Sequence, residues 1–126
     1  MKKENIEKFE KLHIQIKDIY QELSLLSKKS PDGAINKFKL KFINQLIDES
    51  NTLLGERYKP FRDFEKFQED DMPFNSDVVL IVSQYIECLE KYKYDNIRRI
   101  LSTWYWIISD SEDKIETSSP KLEFLR

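Results

Sequence analysis

The chain has 126 residues, enough for one domain to bury a core without disulfides or metals. Charged residues make up 35% and apolar residues 40%; the net charge of −2, from 21 basic and 23 acidic side chains, excludes a uniformly basic nucleic-acid binder. One cysteine excludes an intrachain disulfide framework, and two glycines with four prolines argue against a many-turned all-β fold.

Residues 5–29 read as a first helix. Phe9, Leu12, Ile16, Ile19, Leu23 and Leu26 alternate steps of three and four, the seam of a short coiled coil. Ile6, His13 and Tyr20 widen that stripe, which suits a bundle helix. Glu4–Lys8 and Glu7–Lys11 are i,i+4 pairs in the favourable order, each worth about 0.2–0.5 kcal/mol. Ser30-Pro31-Asp32 then has the chemistry of a helix start: a cap, a proline at the first position and an acid at the positive dipole end. This predicts a tight turn and a second helix over 31–54, antiparallel to the first. Its expected core stripe is Ile35, Phe38, Phe42/Ile43, Leu46/Ile47 and Leu53/Leu54. Gly55 follows, where a helix-ending residue enters positive φ cheaply.

The segment 55–76 is too long for a plain connector and too aromatic to stay solvated. Pro60 is read as the start of a short helix carrying Phe61, Phe64 and Phe67, ended by Glu69-Asp70-Asp71 and folded over one end of the bundle. Asn75-Ser76-Asp77 supplies the cap of the next helix. Residues 77–108 form the central element, with apolar residues recurring at Val82, Tyr85/Ile86, Leu89 and Tyr92. It reads as one long helix, or as two helices broken near Asp95-Asn96. Its end has a second reading. If 103–108 were a strand, Trp104, Trp106 and Ile108 would share one face, 109–113 would turn and 114–118 would pair back. The tail 109–126 ends in Leu122, Phe124 and Leu125, which are expected to dock on the bundle. The expected fold is therefore a single mainly α domain, 1–126: an antiparallel bundle of three long helices plus a short helical segment, with room for a small C-terminal β-hairpin.

Catalytic motifs are mostly missing. The two glycines stand apart, so no phosphate loop forms, and no motif ties the chain to a family. His13 is the only histidine and Cys88 the only cysteine; both read as packing residues, and zinc lacks its usual ligands. No cofactor, metal site or catalytic residue is expected. Glu7/Glu10 and Glu87/Glu90 are i,i+3 carboxylate pairs of the kind with which all-helical nucleotide pyrophosphohydrolases hold magnesium. In a chain with 23 acids such pairs arise by chance and their usual role is a solvated helix face, so a carboxylate- and magnesium-dependent nucleotide hydrolase is only the third reading of the function.

Two binding readings remain. Arg57, Lys59, Arg62 and Lys66 interleave with Tyr58, Phe61, Phe64 and Phe67, and Arg98 and Arg99 precede Trp104 and Trp106. Interleaved cations and rings can grip single-stranded nucleic acid, but they also carry interface energy between proteins. Ile14, Leu25 and Leu40, off their main stripes, and Trp106 exceed what one small bundle requires. The function expected first is a cytoplasmic interaction or regulatory module that self-associates or binds a protein partner, with nucleic acid as the alternative and no membrane contact. Tyr58, Phe61, Arg62, Phe64, Arg98, Arg99 and Trp106 are its expected binding residues. The seam around Leu23 is its expected oligomer contact.

Overall fold

A computed structural model describes residues 1–125. It is 62% helical, with three long helices followed by a small three-stranded antiparallel sheet. Arg126, the last residue of the expected tail, lies outside the described residues.

Helix α1 spans Lys3–Lys29 and buries Ile6, Phe9, Leu12, His13, Ile16 and Leu23. Four of the predicted seam residues, Phe9, Leu12, Ile16 and Leu23, are thus buried, while Ile19 and Leu26 are half-buried. The Ser30 N–H closes the helix on the Leu26 carbonyl at 2.9 Å.

Helix α2 starts six residues later than expected, at Lys37, and runs to Tyr58. Its cap is Asn36, whose Oδ1 accepts from the N–H groups of Phe38 (2.7 Å) and Lys39 (3.1 Å). Residues 31–35 instead lie along 73–76. The Ile35 N–H donates to Pro73 O, and the Asn75 N–H to Gly33 O at 2.8 Å. Gly33 is needed there, because a Cβ would meet Ser30 Oγ at 2.5 Å. Gly55 does leave the helical region, at φ 65°, but one further turn follows to Tyr58.

The rotation of α2 also differs from the expected stripe. Its buried residues are Leu40, Ile43, Leu46, Ile47, Ser50 and Leu54. Leu40, read as surplus, is buried, whereas Phe38 and Phe42, read as core, are 70% and 46% exposed.

The segment after Tyr58 forms no helix on its phenylalanines. Asn44 clamps residue 67 in extended form: its Nδ2 donates to Phe67 O and its Oδ1 accepts from Phe67 N–H, both at 2.9 Å. Phe61 meets Tyr85 edge-on, and Phe61, Phe64 and Phe67 pack edge-to-face in sequence. The chain therefore runs back along α2 as a strap instead of folding over one end. Its one helical turn is Glu69–Asp71, the acids expected to end a helix. Because the strap returns to the start of α2, helix α3 (Asn75–Asp95) runs parallel to α2, and α1 is antiparallel to both.

Helix α3 buries Val78, Val82, Tyr85, Ile86, Leu89, Glu90 and Lys93. It stops at Asp95, where Asn96 Nδ2 donates to Tyr92 O. Residues 97–101 do not continue a helix. Strand β1 (Ile97–Ile100) pairs with β2 (Thr103–Trp106), Ile100 opposite Thr103, and β2 pairs with the short β3 (Glu116–Thr117). The hairpin reading of 103–118 is the correct one. Trp104, Trp106 and Ile108 all turn toward the core. Of the tail residues expected to dock, Phe124 stacks on Tyr94 with ring centres 5.0 Å apart, while Leu122 and Leu125 stay exposed. No helix among the described residues is long and apolar enough to cross a membrane.

Candidate functional site

The expected binding residues do not form one surface. Tyr58 is half-buried and donates its hydroxyl to Asp95 Oδ2 at 2.6 Å. Phe61 and Phe64 are half-buried and pack against the core. Arg62 and Arg98 are exposed, and among the described residues neither enters an ion pair. Arg99 folds onto its own hairpin turn, its Nε donating to Leu101 O at 2.7 Å. Trp106 is a correction: it is 3% exposed, wedged edge-on against Phe9, and so no surface residue.

What Trp106 does touch is a partly buried polar cluster between α1, α3 and the sheet. Its Nε1 donates to Glu10 Oε1 at 2.8 Å, and Thr117 Oγ1 donates to the same oxygen at 3.0 Å. One helical turn on, His13 Nε2 lies 2.7 Å from Glu90 Oε1, and Lys17 Nζ lies 3.2 Å from it. Burial would raise the Glu90 pKa, but the His13 hydrogen bond and charge, with Lys17, outweigh it and hold Glu90 at about 2. Lys93, 2% exposed, donates to Ser118 Oγ at 2.6 Å. Burial pushes its pKa down against the pull of Glu10 and Glu90. The acids of the two i,i+3 pairs are thus largely engaged: Glu10 and Glu90 here, and Glu87 with Lys121. Among the described residues, no three His, Cys, Asp or Glu side chains converge as a metal site. Buried Glu90 thus has two cationic partners, whereas buried Lys93 is held by a hydroxyl alone.

The other flank of α1 is open. Between α1 and α2 lies a groove of three successive hollows. The first, about 300 Å³, is walled by Ile19, Leu23, Phe38, Phe42 and Ile43. The second, about 400 Å³, lies over Gln15, Ile19, Gln45 and Leu46. The third, about 550 Å³, is walled by Leu12, Leu53 and Tyr92 with Lys8 and Lys11 at its rim. Phe38 and Phe42 stand at one end as an edge-to-face pair with centres 5.0 Å apart. They are two adjacent rings left in water beside the groove.

The sequence contained a signal for this pair. In Lys37-Phe38-Lys39-Leu40-Lys41-Phe42, Leu40 stands two residues from either ring, so a helix that buries Leu40 must turn both rings away from it. Reading all three as one apolar group hid that choice. Set against family models, curated proteins and solved structures, the chain matches none of them.

Proposed function

We propose that this chain is a small helical interaction module, acting in the cytosol without chemistry of its own, and that its contact surface is the α1–α2 groove. The observation that carries the reading is the exposed Phe38–Phe42 pair above an apolar hollow that no other part of the described residues fills. A helix side or a second groove laid there would remove both rings from water at about 25 cal/mol per Å² of apolar area. Aromatic side chains are also the residues that anchor protein contacts. The buried charged cluster does not compete for this role, since its groups satisfy one another inside the fold.

A photo-crosslinking amino acid in place of Phe42, in cells that naturally make the chain, tests this directly. A protein adduct at Phe42 that is missing when the same probe replaces Arg62 supports the groove as the contact. No adduct at Phe42 overturns the reading. Nucleic acid crosslinked through Arg62, Arg98 or Arg99, lost on Arg62→Glu with Arg99→Glu, would put the basic residues in its place.

A further inference from the structure

The groove carries a pattern that specifies its occupant. Along α1 its wall is Lys8, Lys11, Gln15, Asp18 and Glu22; along α2 it is Phe38, Phe42, Gln45, Glu49 and Thr52. On α1 the charges run plus, plus, neutral, minus, minus. Gln15 lies seven residues from Lys8 and seven from Glu22, and Gln45 lies seven from Phe38 and seven from Thr52. Both glutamines border the same middle hollow. Seven residues are two helical turns, roughly 10 Å.

We infer that the groove binds a second copy of this chain, in an antiparallel face-to-face dimer whose two-fold axis passes Gln15 and Gln45. This inference rests on the proposed role of the groove and names its partner. Rotation about that axis sets Lys8 and Lys11 of one copy opposite Glu22 and Asp18 of the other. The two remaining charges on the groove obey the same rule. Lys39, which pairs with Glu22 at 3.3 Å within the chain, is carried to the end where Glu49 stands in the second copy. Each end thus meets its charge opposite. The Phe38–Phe42 rings at one end are brought over the hollow at the other end of the second copy, which is lined by Leu12, Leu53 and Tyr92 together with Asn5, Lys8, Lys11, Glu49 and Thr52. A self-complementary patch of this kind is what an isologous two-fold contact demands.

Light scattering over a concentration series, with salt varied, is the experiment. Wild-type chain is expected to pass from monomer to dimer, with the dimer weakening as salt rises. Lys8→Glu with Lys11→Glu makes the α1 wall acidic at both ends, and Asp18→Lys with Glu22→Lys makes it basic at both ends. Each double variant is expected to raise the dimer dissociation constant about tenfold or more, while an equal mixture of the two forms a heterodimer. All four positions are at the surface, so helicity by circular dichroism should stay that of the wild type. Gln15→Cys, in a chain with Cys88→Ala, should form an intermolecular disulfide under mild oxidation, because the axis brings the two copies of residue 15 together. A wild-type monomer at every concentration, a dimer indifferent to either reversal, or a mixture that stays monomeric overturns the second-copy inference. A monomer whose Phe42 still crosslinks to a different protein overturns this inference alone; a monomer with no crosslink removes the groove reading too.

Discussion

Toward α3 and the sheet, α1 turns Phe9, His13 and Ile16 into an interior that also holds Glu90, Lys93 and the Trp106 indole. Toward α2, the same helix borders a trough over which Phe38 and Phe42 remain in water. Polarity is inverted between the two flanks: charges inside on one, phenyl rings outside on the other. The α3 flank tolerates its charges because Glu90 is paired with His13 and Lys17 and Lys93 is hydrogen-bonded to Ser118, and removing Glu90 leaves its partners without their anion. The open flank has no such internal solution, since a phenyl ring is satisfied only by cover. Stability should therefore reside on the first flank and association on the second.

The largest expected effect is on the α3 flank. Phe9 is fully buried among His13, Tyr92 and Trp106. Phe9→Ala should lower the free energy of unfolding by about 3–5 kcal/mol in urea melts. A loss below about 1 kcal/mol would break the contrast, because it would mean that the flank collapses around the gap without cost.

Glu90→Gln comes next, at about 2–3 kcal/mol near neutral pH, since His13 and Lys17 lose their shared anion. The sign of the pH dependence follows from the shift. Glu90 is held at about 2 in the fold against an ordinary 4.5, so between those values the unfolded chain binds the proton more tightly. The stabilisation is complete above about 4.5 and drains away as pH falls toward 2; the variant should lack that loss. Lys93 runs the other way in charge but not in slope. Burial lowers its pKa from 10.5, so the unfolded chain again holds the proton more tightly, and stability climbs as pH rises toward that value. Lys93→Met should remove the alkaline climb. Thermal melts across pH, read for both variants against wild type, sharpen the account of this flank or dismiss it.

Leu101 offers a smaller gain. It sits in the two-residue hairpin turn at φ 57°, a conformation that costs a side chain with a Cβ. Leu101→Gly should raise stability by about 0.5–1 kcal/mol in the same melts.

That turn also explains where the sequence misled. Hairpin loops of two residues favour Asn-Gly or Asp-Gly, and here the loop is Leu101-Ser102, which carries neither signal. Ile97-Arg98-Arg99-Ile100 then fits a helix as well as a strand, so β1 was illegible while the pairing of 103–108 with 114–118 could still be read from alternation. The long helices were legible because their apolar steps persist over many turns. The start of α2 was not, because Ser30-Pro31-Asp32 has the local chemistry of a cap but is drawn into pairing with 73–76, a tertiary contact no local pattern records. The groove was half legible: Lys8, Lys11, Asp18 and Glu22 stand in the sequence in plain order, but their meaning depends on α2 turning Leu40 inward and its two rings outward.

The smallest effect on stability is expected from Phe38→Ser, and it sets the two flanks side by side with one residue type. Phe38 is 70% exposed, so its removal should change the unfolding free energy by no more than about 0.5 kcal/mol. The same change should weaken association by about 2 kcal/mol, the cost of deleting an aromatic anchor from an interface, read as the shift in the concentration at which light scattering reports half dimer. Serine and phenylalanine have similar helix propensities, so the comparison isolates the ring. If Phe38→Ser destabilised the monomer by 2 kcal/mol or so, on the scale expected of Phe9, the ring would be covered by its own chain. The groove would then be closed in solution and both flanks of α1 would be core.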